Sequence, residues 1–596
     1  MFPILSRAAT PALLLSMVSS LVAQDGVPAA RRATAVVGAD ASAAAGYTLQ
    51  TVFVNTPGHP TNVIPGLGIA FRTGGTATSA FERPILSANG MHFGINVVAN
   101  TGLTTDDDVL LVDGVVVARE GDPTPWPTAG ENVGTIDADF ALNDAGDILL
   151  GNNTSATVND DYVALFQAGV WSVLAQEAGM INPVLPGIVG GPAGTWDDAI
   201  DSTVLFNNGT ALWRAEGVDG LTTGTANDEL IVLGGGMALQ KGVDVPMGQA
   251  GGAVEFWENF DLNDLYANAD GTVVLIQGDL TGAATTDDVV VYNGVVIVQE
   301  GVPLGSGTFV EPVDTDGIVK PWVDAVGNYY VRGNNDVTET DWIYRNGVVV
   351  AESSGADEVI PGSGEHWDDA TFGDCFFAFD GNALGHFVFG GVTDAPVDVN
   401  GVLVFDDGAG YRTVLCRESD PIDLDGNGLF DDDRYFNTFG NDDVRLLDDG
   451  TVVFTATLKN GAGTAVDQGV FRLVPKAGSC TLRNGTGVNP VACTCATLPV
   501  LGTTWTIAIA PGPNTALTLV FAADAPAPFP VPLFGGEALI FPPVVSLPGN
   551  GTHPVVLPPD IQFLGSAFFL QGMRVDVVGA NLALVLTNGQ DAVVGL

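Results

Sequence analysis

From about residue 47 onwards the chain is built of short runs in which apolar and polar residues alternate, cut every few positions by glycine, asparagine or aspartate. TTDDDVLLVDGVVVAREGDP, starting at Thr104, and TTDDVVVYNGVVIVQEGVP, starting at Thr285, show the pattern most clearly. A period of two over five or so residues predicts a half-buried strand, and Asp-Gly or Asn-Gly between two such runs predicts a tight hairpin. Related hairpins begin at Val163, Glu229, Asp341 and Val402, so the motif occurs six times. Its turn glycines run from Gly114 to Gly408 in five steps, an average spacing of about 59 residues.

A second hairpin follows each of the first kind, as in FALNDAGDILLGNN from Phe140, LYANADGTVVLIQGDL from Leu265 and RLLDDGTVVFTATL from Arg445. Two hairpins give four strands per unit. Four-stranded units at a fixed period predict a β-propeller, in which each sheet buries its faces against its neighbours. TVFVNTPGHP from Thr51 reads as a strand lacking its partner, and QGVFRLVP from Gln468 as another. Pairing them would complete one shared blade and leave no sheet edge open. Seven blades are expected over residues 47–476; an open β-solenoid is the architectural rival.

From Ala477 the acids thin out and prolines multiply, while strands such as TTWTIAIA and AFFLQGMRVDVV continue. A C-terminal β-sandwich is expected over 477–596. The first residues, MFPILSRAATPALLLSMVSSLVAQ, place one arginine before a short apolar run that ends in small residues. This is the layout of a signal peptide cleaved after Ala23, followed by an Ala-rich leader over 24–46, and it predicts export to the medium or cell surface. The apolar run is short for a membrane span, and no later segment reaches that length.

Composition narrows the partners. Seventy acidic against twenty basic side chains give a net charge of −50. Nucleic acid and anionic lipid are poor partners for such a surface. With 46% hydrophobic and 15% charged residues the chain is nonetheless able to bury a large core. Abundant Gly, Val, Asp, Ala and Thr suit strands and turns, so the fold class is all-β. Five cysteines in an exported chain permit disulfides, and Cys480 is expected to bridge to Cys493 or Cys495.

The NDAGD and AREGDP hairpins resemble the secreted repeat proteins of planctomycete-type bacteria, and LRNGTGVNPVACTCATLPVLGTTWTIAI, from Leu482, is similar to a C-terminal module of exported proteins in the same group. The resemblance covers nearly all of the mature chain. It implies a generic role for the tail in export or surface retention, and it carries over no catalytic residue.

One stretch looks built for chemistry. In DLDGNGLFDDD, a calcium loop of the EF-hand kind would take oxygens from Asp423, Asp425, Asn427, the Leu429 carbonyl and Asp431, with the turn at Gly428. The closing position falls on Arg434, so Asp432 or Asp433 must complete the shell, and Asp433 is taken as the sixth ligand. The alternative is an acidic turn without an ion. Clustered carboxylates repel without a cation, which favours structural calcium.

The other acidic pairs, Asp107 with Asp108, Asp160 with Asp161, Asp287 with Asp288 and Asp368 with Asp369, read as turn chemistry and solubility. The five histidines are scattered and carry no metal-ligand spacing, and neither a nucleophile elbow nor a phosphate loop is present. Trp126, Trp196, Trp257, Trp322, Trp342 and Trp367 read as core, with a sugar-binding surface as the alternative. The expected function is a monomeric, non-catalytic binding or scaffold propeller with an extracellular protein or glycan as partner. Its rival is a carbohydrate-active hydrolase or lyase with carboxylates at the propeller mouth. The rival requires acids and an aromatic side chain to converge in one axial pocket; the scaffold leaves the acids around the rim.

Overall fold

A computed structural model describes residues 46–596, apart from 74–79, 127–130, 137–139, 157–159, 180–187, 191–193, 197–199, 222, 262–263, 306–309, 369–373, 524, 532–535, 541–544 and 559. The expected signal peptide, nearly all of the leader and Asp369 lie outside these residues.

The fold is all-β, with no α-helix among the described residues. Up to Pro475 these residues form seven four-stranded antiparallel sheets, numbered here in chain order of their first strands. Sheet 1 joins Phe81–Leu86, Phe93–Val98, Asp108–Val112 and Val115–Arg119 in sequence order. Sheets 2 to 6 repeat the plan. Their first strands are Phe140–Leu142, Ile200–Leu205, Leu265–Ala267, Val313–Val323 and Phe376–Gly381.

The Asn-Gly pairs behave as their chemistry requires. Asn293 and Gly294 have φ of 48° and 80°, and Asn346 and Gly347 have 47° and 87°. Both central residues are thus left-handed, the backbone of the hairpin turn whose twist matches that of the flanking strands. The middle strands of the sheets are well buried, and residues such as Val109, Leu149, Leu230, Val290, Ile343 and Leu403 are fully buried.

Sheet 7 is assembled from both ends of this region. Tyr435–Leu446, Val452–Lys459 and Ala465–Pro475 form three strands, and the fourth is Tyr47–Val54. Tyr47 pairs with Pro475 and Val54 with Gly469. The two unpartnered strands of the sequence pattern therefore lie side by side.

Beyond Pro475 a five-stranded sheet, containing Ser479–Arg483 at one edge and the long strands Ala567–Val578 and Asn581–Val593, accompanies a three-stranded sheet of Cys493–Cys495, Thr504–Ile509 and Thr552–Val556. Cys480 is bonded to Cys495, which ties the two sheets together and leaves Cys493 a buried free thiol. One buried apolar cluster runs from Leu415, Ile422 and Phe436 of sheets 6 and 7 and the loop between them into Trp505, Ile561 and Leu564, so the C-terminal sheets are packed on this side of the molecule.

Candidate functional site

The first strands of all seven sheets line a single cavity of about 450 Å³. Alternation breaks down in several of these strands. The register slips between Glu82 and Ile85, between Asp201 and Val204, and between Phe439 and Val444. Within those slips Arg83, Ser202 and Asp442 take left-handed backbone angles, with φ of 44°, 52° and 58°. A bulge re-aims a side chain, and non-glycine residues hold such angles only where the surroundings impose them. All three residues line the cavity.

One wall carries a connected set of charged and aromatic groups. Trp322 Nε1 donates to Asp380 Oδ1 at 2.9 Å, and the Leu446 N–H donates to Asp380 Oδ2 at 2.7 Å. The Gly381 N–H adds a third donor at 2.8 Å. Burial nevertheless pushes the Asp380 carboxyl up to about 6, because lost hydration outweighs the opposing pull of Arg445 and these donors. The Arg445 guanidinium lies 4.5 Å above the Trp322 ring. Tyr266 meets Trp322 edge-on, with ring centroids 5.0 Å apart. Its hydroxyl donates to Asp264 at 3.2 Å, and Asp264 also holds Lys320 Nζ at 2.7 Å.

Two of the three cavity carboxylates are committed to the protein itself. Asp380 is held as described, and Asp324 accepts the backbone N–H groups of Val326 and Asn328 at 3.1 and 2.8 Å. Asp442 is the more open, a third exposed and 3.4 Å from Arg332. Half-buried aromatic faces beside charged groups in a pocket of this size are suited to a small polar ligand.

Of the six tryptophans singled out in the sequence, Trp126, Trp196, Trp257, Trp342 and Trp367 are core, and Trp322 alone of the six faces the cavity. Nothing in its immediate sequence, KPWVD, sets it apart. The only available signal was its place on a first strand.

The acidic loop lies between Arg412–Arg417 of sheet 6 and Tyr435–Leu446 of sheet 7. Carboxylate oxygens of Asp423, Asp425 and Asp432 come within 4.8 Å of one another. Asp423 accepts the N–H groups of Gly426, Asn427 and Gly428 at 2.8 to 3.1 Å, which winds the loop around it. The Asn427 amide donates to Asp425 at 3.0 Å and to Asp431 at 3.5 Å. Leu429 is 59% exposed at the tip. Asp433 accepts the Gly461 N–H at 2.8 Å, and it is Asp432 whose carboxylate groups with Asp423 and Asp425. His59 Nε2 lies 2.9 Å from the Leu424 carbonyl and fastens the base of the loop.

The remaining histidines sit apart. His92 and His366 pair with Asp113 and Asp394 at 2.7 and 3.4 Å, and burial lowers the basicity of His386 and His553. The pair Asp107 and Asp108 is not the solvated turn expected of it. Asp107 is buried and paired with Arg72, and Asp108 is pushed up to about 6 by burial and then by Glu120 and Asp107.

No family model matches the chain, and no curated protein matches it. Among solved structures it is similar to a novel fungal alcohol oxidase of the AA5 family in complex with copper, at 13% identity and a TM-score of 0.26, over 91% of this chain and 99% of that one. It is also similar to PorZ, a bacterial surface component of the type-IX secretion system of Porphyromonas gingivalis, at 10% identity and a TM-score of 0.27, over 87% of this chain and 70% of that one. A GH43 glycoside hydrolase engineered in its active site is similar at 10% identity and a TM-score of 0.21, over 78% of this chain and 94% of that one.

Proposed function

We propose that the protein is an exported, monomeric binding protein: a seven-bladed propeller over 47–476 whose axial cavity takes a saccharide, followed by a C-terminal β-sandwich over 477–596 that serves attachment or export. The observation that carries this reading is the convergence, on one cavity, of Trp322 and Tyr266 with Arg83, Lys320, Asp442 and Arg445. A sugar ring offers C–H faces to stack on an indole and hydroxyls to pair with carboxylate and guanidinium groups. Calcium at Asp423, Asp425, Asn427, the Leu429 carbonyl, Asp431 and Asp432 would stiffen the loop between sheets 6 and 7, a structural role away from the cavity.

Binding, measured calorimetrically against a panel of neutral and acidic oligosaccharides, is the test. Trp322→Ala should abolish it and Asp442→Asn should weaken it about tenfold, the loss of roughly 1.4 kcal/mol. No binding of any member of the panel by the parent, or equal binding by both variants and the parent, sinks the reading. Titration of calcium into the parent and into Asp425→Ala tests the loop; a parent that takes up no more ion than the variant rejects it.

A second reading, a glycan hydrolase, is favoured by Asp380, which at about 6 is suited to hold a proton beside Asp442 in the same cavity. It predicts release of new reducing ends that Asp380→Asn abolishes while saccharide binding persists. Acids and Trp322 gathered in one cavity are what the hydrolase requires and the rim-acid scaffold does not, but the binding reading ranks first because Asp380 and Asp324 already spend their oxygens on protein N–H groups.

A further inference from the structure

Six backbone hydrogen bonds of one kind place six pairs of side chains in equivalent positions. In sheets 1 to 6 the residue after the fourth strand donates its N–H to the carbonyl at the start of the third: Glu120 to Asp108, Glu177 to Asp161, Lys241 to Glu229, Glu300 to Asp288, Ser353 to Asp341 and Glu418 to Gly401, all at 2.8 to 3.0 Å. Acids recur at this corner, and in sheets 2 to 6 the side chains there have a partner from the same sheet or the next.

In sheet 3, Lys241 Nζ stands 3.5 Å from Asp228 and 4.0 Å from Glu229. In sheet 4, Gln277 Nε2 reaches both oxygens of Asp288 at 3.3 and 3.1 Å, and Glu300 accepts the Asp316 N–H at 2.6 Å. Glu177 of sheet 2 accepts the Asp160 N–H at 2.8 Å, and Glu418 of sheet 6 meets Lys459 at 3.3 Å. Sheet 5 replaces the acid by Ser353, whose hydroxyl accepts the Asp341 N–H at 2.8 Å.

In sheet 1 the backbone N–H groups of Asp107 and Asp108 also act on Glu120, but the side-chain donor is missing. Asn96 occupies the position of Gln277, pairing with Leu110 as Gln277 pairs with Val290. Shorter by one methylene, it donates instead to the Ile136 carbonyl at 2.7 Å. Oxygens of Asp107, Asp108 and Glu120 come within 4.8 Å of one another, and Arg72, paired with Asp107, offsets one charge of the three. Glu120 is only 8% exposed, and its Oε2 is buried without a hydrogen-bond partner. A buried carboxylate oxygen with nothing to accept is costly, and a cation is the partner that satisfies it.

We propose that Asp107, Asp108 and Glu120 bind a calcium ion at this corner of the first sheet, independently of the Asp423 loop. The donors are all hard oxygens, and calcium accepts an irregular shell completed by carbonyls or water, whereas magnesium demands a regular octahedron.

The test uses the full chain carrying Asp425→Ala, so that the loop does not contribute. Calorimetric titration of the chelator-treated protein should show one calcium per chain, with a rise in the thermal midpoint in millimolar calcium. Adding Glu120→Gln should remove both the binding and the rise. In chelator, Glu120→Gln should melt no lower than its parent, since the amide carries its own donor and removes a repulsive charge. Asp108→Asn provides the same comparison should Glu120→Gln fail to fold. Absence of stoichiometric calcium binding in the Asp425→Ala chain overturns the proposal. So does undiminished binding by either folded variant, or a response to magnesium and not to calcium.

Discussion

The Arg445 guanidinium lies 4.5 Å above the indole of Trp322, and that indole's N–H is bonded to Asp380 at 2.9 Å. The tryptophan therefore serves a cation with its face and an anion with its edge, and joins sheets 5, 6 and 7 at the cavity wall. Trp322→Phe keeps a face for Arg445 but strips Asp380 of a donor in a buried setting. We expect a loss of roughly 1–3 kcal/mol in stability, read from urea unfolding. Loss of less than about 0.3 kcal/mol would mean that the Leu446 and Gly381 donors suffice.

Asp288 supplies a pH dependence. Burial, then the neighbouring Asp261, Asp279 and Glu300, pushes its carboxyl up to about 8 against the opposing Gln277 amide. The folded protein keeps this proton where the unfolded chain, with an ordinary carboxyl, has released it. Stability contributed by the protonated group is thus complete at pH values below about 4, falls as pH rises towards 8, and is flat above that. Asp288→Asn should flatten this slope and raise stability at pH 8, by an amount on the order of a few kcal/mol. Thermal melts across pH 4 to 9 decide it, and an unchanged slope in the variant rejects the assignment.

The bond between Cys480 and Cys495 closes a loop of 15 residues. The double replacement Cys480→Ser with Cys495→Ser should lower stability by about 3 kcal/mol. Cys375, Cys416 and Cys493 are buried thiols, and burial pushes Cys493 up to about 12. Alkylation of the native protein should therefore modify none of the three, and alkylation in denaturant all of them, as counted by mass spectrometry.

Phe471, fully buried on the third strand of sheet 7, packs against Phe436 and Phe454 with ring centroids 5.3 and 5.7 Å away. Phe471→Ala should cost about 3–5 kcal/mol through the space it leaves. A smaller loss in guanidinium unfolding would show that the surrounding rings close over the gap.

The hairpins were legible because turn chemistry and alternation agree in them. Asn293-Gly294 demands a two-residue turn, and the apolar residues on either side fall on alternate faces. The cavity was not legible, because its strands break that very alternation. Arg83, Ser202 and Asp442 sit in bulges, and a polar residue facing an enclosed cavity reads in sequence like one facing water. Asp107 was misread for a related reason: its partner Arg72 is 35 positions away and belongs to no repeat. In the acidic loop Asp423 and Asp425, close in the spacing, are also close in space. That Asp432 and not Asp433 lies nearest to them goes with the N–H of Gly461, bonded to Asp433 from 28 residues further on, which no local motif contains. Both cysteine partners of Cys480 were open at the level of spacing, and only the pairing of the strands distinguishes Cys495.

Tyr47–Val54, the outer strand of sheet 7, is separated from its partner in time. A ribosome delivers these residues first among the described strands, yet their one strand partner among the described residues, Ala465–Pro475, is made some four hundred residues later. Throughout synthesis the early segment carries unsatisfied backbone groups, a ready template for the wrong neighbour. The Lys476 N–H then bonds to the Gly46 carbonyl, and the Leu596 N–H to that of Lys476, so the oldest and youngest parts of the described chain meet at one spot. Proteolytic removal of the first strand after assembly would leave Ala465–Pro475 as an open edge.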